Sequence, residues 1–88
     1  MARVDLSLRE ADDGWIADVT VHDRSTTTHV VRVTPEERER YGGGDVADLV
    51  RRSFSFLLER ETNSSILHEF SLSTIERYFP EYRDRIRA

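Results

Sequence analysis

The first third of the chain alternates apolar and polar residues with a period of two, which is typical of β-strands that bury one face. Residues 3–9 show the pattern first, and residues 15–22 repeat it. A third run, residues 27–33, ends on two inward valines. We therefore predict three strands over these ranges. Their apolar positions are Val4, Leu6, Leu8, Trp15, Ala17, Val19, Val21, Val31 and Val33.

The connections between the strands suggest an antiparallel meander. Asp13-Gly14 suits a type I′ turn, because both residue types tolerate positive φ. That turn places Leu8 opposite Val19 and Leu6 opposite Val21.

The third strand pairs Val31 and Val33 with the valines of the second only if the loop holds an odd number of residues, because parity decides which face each side chain takes. We then expect His29 on the core side of the sheet and His22 on the solvent side.

Two helices are predicted in the middle of the chain. Thr34-Pro35-Glu36-Glu37 has the composition of a capping box with proline at the first helical position, and it starts a helix over residues 35–41. Gly42-Gly43-Gly44 ends that helix. Asp45 then caps the main helix, residues 46–61.

The main helix has an unusually wide apolar surface. Its apolar side chains cover an arc of roughly 200°, about twice what one contact surface needs. We expect another element, besides the sheet, to cover it. The apolar positions are Val46, Leu49, Val50, Phe54, Phe56, Leu57 and Leu58.

The last third supplies a candidate cover. After the polar residues 62–65, apolar positions at helical spacing predict helices over residues 72–79 and 80–87, with Pro80 as the break between them. Ser71 can cap the first of these helices, and Ser73 with Glu76 offers a competing capping box. The predicted fold is α+β: one domain over residues 1–88, a three-stranded antiparallel β-meander followed by three to four helices packed on one face.

Composition narrows the classes of function. The 88 residues contain no cysteine, which excludes disulfides and thiolate chemistry. The net charge of −4 argues against binding nucleic acid or membranes by bulk electrostatics. Every basic residue other than histidine is arginine, and the arginines are scattered. With no apolar run of membrane-spanning length and no leader-like N-terminus, we expect a soluble, cytoplasmic protein.

No pattern of residues predicts catalysis. His22 and His29 are expected on opposite faces, which disfavours a metal site. Gly42-Gly43-Gly44 lacks the lysine of a phosphate-binding loop, and Asp45 places a carboxylate where the phosphate would lie. We expect no catalytic residue, no metal and no cofactor, and therefore no enzyme.

Two clusters could contact partners. Aromatic residues concentrate around Pro80, and their helical spacing fits core packing or an exposed patch for a protein partner. This candidate partner-binding set is Phe56, Tyr78, Phe79 and Tyr82. The candidate nucleic-acid contacts near the C-terminus are Arg77, Arg83, Arg85 and Arg87, although pairing within the helix, as between Glu81 and Arg85, explains part of this second pattern.

The segment Ser53-Phe54-Ser55-Phe56-Leu57-Leu58-Glu59-Arg60-Glu61, followed by Ile66-Leu67, Phe70 and Tyr78-Phe79-Pro80-Glu81-Tyr82, resembles a group of short bacterial proteins of unassigned function. The likeness extends over most of residues 15–86. It implies one compact domain and carries no catalytic residue.

The leading functional hypothesis is a non-enzymatic protein–protein interaction module that forms a homodimer. The wide apolar arc of the main helix and the strand edges at residues 3–9 or 27–33 motivate it. The alternative is a nucleic-acid-linked regulator, such as the acidic antitoxin-like partner of a toxin–antitoxin pair.

Overall fold

The computed structural model describes residues 2–87 and shows an α+β domain, which confirms the predicted fold class. The elements in chain order are β1 (Arg3–Ala11), β2 (Gly14–His22), β3 (Thr26–Val33), α1 (Pro35–Arg40), α2 (Val46–Leu58), a 3₁₀ turn (Asn63–Ser65), β4 (Glu69–Ser71), α3 (Leu72–Tyr78) and α4 (Tyr82–Arg87).

The sheet has four strands in the order β1-β2-β3-β4. The first three form the predicted antiparallel meander, and β4 adds to β3 in parallel, with Val31 opposite Phe70. The prediction of three strands was therefore one strand short. The parallel arrangement arises because residues 34–68 cross over and return the chain to the free edge of β3.

The β1–β2 register differs from the prediction by two residues. Leu6 lies opposite Val19 and Leu8 opposite Ala17. The cause is the turn, which uses Asp12 and Asp13 and leaves the following glycine in the strand. No residue other than glycine has a positive φ in the described chain, so the turn is not type I′. Because the shift is even, each side chain keeps its predicted face.

The β2–β3 loop contains three residues, 23–25, so the predicted odd loop length is confirmed. The register again differs: Val31 lies opposite Ala17 and Val33 opposite Trp15. The predicted face of His29 is confirmed, since its side chain is only 2% exposed and lies beside Val19 on the core side.

The helix starts follow their capping residues. The Thr34 side chain accepts a hydrogen bond from the Glu37 N–H, the Glu37 carboxylate accepts one from the Thr34 N–H, and Asp45 caps α2, as predicted. The ends were predicted less well: α2 stops at Leu58 rather than residue 61, because the polar residues that follow have no apolar side chain to pack on the core. The last helix starts at Tyr82, two residues after Pro80.

The wide apolar arc of α2 is covered within the chain. One side packs on β1 and β2, and the other packs on α4. Ser53 of α2 donates its hydroxyl to the Leu49 carbonyl at 2.7 Å, so the buried Tyr82 hydroxyl donates to Ser53, also at 2.7 Å. The width of the arc is thus explained without a second chain. No helix within residues 2–87 is long and apolar enough to cross a membrane.

Candidate functional site

The structure divides the four predicted partner-binding aromatics between core and surface. Phe56 is 6% exposed, and Tyr82 is fully buried against α2. Phe79 is half-buried and contacts Phe56 edge to face, at 6.0 Å between ring centres. Tyr78 is 66% exposed. The surface available to a partner at this end of the molecule therefore centres on Tyr78 and Phe79.

These two rings line an apolar groove of about 300 Å³. Its walls are the C-terminal end of α2, the segment that leads into β4, and α3. Leu67, which is 49% exposed, belongs to the segment before β4, whereas Tyr78 belongs to α3. We call this the α2–α3 groove; its lining residues are Leu57, Glu61, Ser65, Ile66, Leu67, Phe70, Thr74, Ile75, Tyr78 and Phe79.

Glu61 is the one residue of this lining with a carboxylate. Its side chain is half-buried, and desolvation raises the pKa of its carboxyl above the ordinary value. Its neighbour Arg60 is directed elsewhere: the guanidinium lies 3.6 Å from the centre of the Phe56 ring and pairs with Glu59 and Glu81, both at 3.3 Å. Among residues 2–87, Glu61 forms no ion pair.

Two histidines fix the rim of the groove to the sheet. The buried His29 ring bonds through Nδ1 to the Leu67 carbonyl at 2.7 Å, and the His68 ring bonds through Nδ1 to the Thr28 carbonyl at 3.0 Å. In each of the two rings Nδ1 is the donor, because a carbonyl oxygen only accepts. Burial lowers the pKa of His29 and outweighs the bond to the Leu67 carbonyl, which raises it; the nearby His68 also lowers it. The rings stack with their centres 5.9 Å apart.

A second candidate surface is the outer edge of β1. The Val4 carbonyl accepts a hydrogen bond from Arg51 at 2.8 Å, so this carbonyl points away from β2. Backbone direction alternates along a strand, and the amide groups of Leu6, Leu8 and Glu10 therefore point outward as well. No other strand within residues 2–87 pairs with this edge.

The β3 edge, also predicted to be free, is partly occupied. β4 pairs with its second half, and the Val30 N–H donates to the His68 carbonyl at 2.6 Å. Of the two predicted routes to strand association, the β1 edge is the more open.

The four C-terminal arginines are all exposed. Arg87 already donates to the Arg40 carbonyl at 2.6 Å, and Arg85 lies near Glu81. Arg77 lies on α3, apart from the three arginines of α4. Nucleic-acid contact by Arg77, Arg83, Arg85 and Arg87 stays a prediction, for which a gel-shift series at low and high salt is the direct measurement.

The structure also shows how the other chemistry-bearing residues are placed. His22 lies on the solvent face, with Nε2 3.1 Å from Asp5. Within residues 2–87, no three histidine, aspartate or glutamate side chains are grouped to hold a metal ion.

Sequence reasoning missed both Glu61 and Leu67 as surface features. A signal was present for Leu67: it follows Ile66 directly, and the two cannot both face the core of an extended segment.

Comparisons of the chain with protein-family models, with curated proteins and with solved structures found no match. Functional inference therefore depends on the two surfaces just described.

Proposed function

We propose that this protein is a non-enzymatic protein–protein interaction module that forms a homodimer by pairing β1 with β1 of a second copy. The observation that carries the proposal is the free edge of β1: nine residues long, without proline, with outward amide groups at Leu6 and Leu8. Strand edges of this length are usually blocked by proline, bulges or a covering element, because they pair readily with other strands. Here Arg51 covers only the Val4 end.

A two-fold axis at Ser7 gives the best pairing of the two edges. Antiparallel pairing about this axis places Leu6 opposite the partner's Leu8, so that four backbone hydrogen bonds form between these two residues and their symmetry mates. Leu8, which is 36% exposed, gains apolar contact in this arrangement.

Charge also favours this register. With Ser7 on the axis, Asp5 lies opposite the partner's Arg9, and the symmetry repeats the pair. If the axis moves to Leu6, Arg3 faces the partner's Arg9, so like charges oppose each other. If it moves to Leu8, Asp5 faces the partner's Ala11 and Arg9 faces the partner's Ser7, so no opposite charges meet. Only the Ser7 axis combines opposite charges on the solvent face with leucine pairs on the other.

Light scattering after size-exclusion chromatography tests the proposal. We expect a mass twice the 10.3 kDa of one chain at micromolar concentration. The decisive variant is Leu8→Pro, which removes an outward N–H that no strand within residues 2–87 uses. The variant should be a folded monomer that still shows a thermal unfolding transition, since proline is tolerated at an outward edge position.

The matched control is Leu8→Ala, which shortens the same side chain but keeps the N–H. It should remain largely dimeric. A monomeric wild-type protein, or a Leu8→Pro variant that is still a dimer, would contradict pairing through this edge.

A further inference from the structure

The α2–α3 groove lies at the opposite end of the sheet from the proposed dimer edge. Its wall includes Phe70 of β4, while β1 is the strand at the other edge. A dimer built through β1 therefore leaves both grooves open. Binding in this groove does not require the dimer.

The groove combines exposed apolar side chains with one unpaired carboxylate. Leu67 and Tyr78 expose 49% and 66% of their surfaces at the rims, and no element within residues 2–87 covers them. Glu61 contributes negative charge to a wall that is otherwise apolar or hydroxylic, and Arg60 does not neutralise it because that guanidinium is held by Glu59 and Glu81.

We propose that the α2–α3 groove binds a segment of a partner protein in which apolar side chains flank an arginine or a lysine. The apolar side chains fill the space between Leu67 and Tyr78, and the cation pairs with Glu61. This occupant follows from charge complementarity, since a cation on the bound segment compensates a carboxylate that the groove partly removes from water. Arginine fits better than lysine, because its guanidinium is more weakly hydrated and also stacks on aromatic rings such as Tyr78.

The walls of the groove are built to keep their shape. The Leu67 carbonyl is bonded to the His29 ring. The next residue, His68, is bonded to β3 through both its ring and its carbonyl. Ile75 and Phe70, at the floor, are 3% and 5% exposed and belong to the main core. A groove that exists before binding loses little conformational freedom when a segment enters it, so a short peptide suffices to occupy it.

Selection from a phage-displayed library of random 12-residue peptides on the immobilised full-length protein tests this proposal. Peptides recovered on the wild-type protein should carry an arginine or lysine between apolar residues. Their affinity, measured by fluorescence polarisation with synthetic peptide, should fall about tenfold in the Glu61→Gln variant, the effect of losing one hydrogen bond to a partly buried charge. Replacing the basic residue of the peptide by citrulline should have a similar effect on the wild-type protein and little further effect on Glu61→Gln.

Two kinds of variant control the measurement. Glu36→Gln makes the same charge change at an exposed position on α1, outside the groove, and should leave the affinity unchanged. Leu67→Ser and Tyr78→Ala alter exposed rim residues and should weaken every selected peptide. The proposal is overturned if no peptide is enriched, if the enriched peptides lack a basic residue, or if the rim variants bind them as well as the wild type.

Discussion

The Glu37 carboxylate joins two helices that lie far apart in the chain: Oε2 accepts a hydrogen bond from the Ser73 N–H at 2.8 Å, while Oε1 accepts one from the Thr34 N–H at 2.9 Å. The first bond caps α3 and the second completes the capping box of α1. The side chain is 6% exposed, so water cannot replace either bond easily. Ser71, at the N-cap of α3, makes no side-chain capping bond of its own.

Replacing Glu37 should therefore destabilise both helix starts. We expect Glu37→Ala to lower the free energy of unfolding by about 2–4 kcal/mol, the sum of a lost cap and a buried charge-assisted bond. Glu37→Gln should cost about 1–2 kcal/mol, because the amide nitrogen cannot accept a bond from either N–H. Chemical denaturation measures both values. Glu36→Ala, at the exposed neighbouring position, should change stability by less than about 0.5 kcal/mol, and equal losses at the two positions would contradict the double cap.

Gly14 closes the first hairpin at a position where a side chain does not fit. Its φ is +121°, and a Cβ there would collide with the Val33 carbonyl oxygen. We expect Gly14→Ala to destabilise the protein by more than about 2 kcal/mol, through backbone strain together with this collision. Gly43→Ala is the matched control. The φ of Gly43 is also positive, at +69°, but a Cβ there meets nothing within 4 Å. Its cost should be about 1 kcal/mol, and thermal unfolding of the pair compares the two directly.

The sequence predicts the strands well because the alternation of Val4, Leu6 and Leu8 with polar residues is set by burial of one face. Parity survives an error in the turn, so each side chain was assigned to the correct face although both registers were displaced. The displacement itself depends on which residue of Asp12, Asp13 and Gly14 occupies the strand. That choice is made by the close approach of Gly14 to Val33, a contact with a strand that lies elsewhere in the sequence.

β4 and the α2–α3 groove as a whole could not be found in this way. Three residues are too few to show alternation, and Glu69–Ser71 becomes a strand only because β3 offers a partner. Likewise, the aromatic spacing around Pro80 is the same for the buried Tyr82 and the exposed Tyr78. Which ring enters the core depends on the break after α3, where Phe79 leaves the helix and α4 turns back toward Ser53.

Stability should fall below neutral pH because of His29. Burial holds its pKa below 6.5 in the folded protein, so the unfolded chain binds a proton more readily. The contribution of His29 to the free energy of unfolding is complete above about pH 6.5 and is lost as the pH falls from there through the folded-state pKa. Over that range the free energy of unfolding changes by at most about 1.4 kcal/mol per pH unit. Urea denaturation between pH 7.5 and pH 5 measures this slope.

His29→Gln isolates the effect. The variant should be less stable than the wild type at pH 7.5 but should show a flatter dependence on pH. Glu61 acts in the opposite sense, since its raised pKa favours the folded state as its carboxyl takes up a proton, but this contribution is common to both proteins. A slope unchanged in His29→Gln would assign the dependence to another group.

The proposed register of the dimer makes a charge-exchange prediction. Asp5→Arg places like charges opposite the partner's Arg9, and Arg9→Asp places an aspartate opposite the partner's Asp5; either change should weaken the dimer about tenfold or more, since both copies of the pair are affected. The double variant Asp5→Arg/Arg9→Asp restores opposite charges at both places and should recover most of the affinity. The cost within one chain is small, because the pairs of Asp5 with Arg3 and of Arg9 with Asp18 are exposed. Sedimentation velocity over a concentration series gives the dissociation constants. If the double variant is weaker than either single variant, Asp5 and Arg9 do not face each other across the axis, and a register with a different axis must replace the one centred on Ser7.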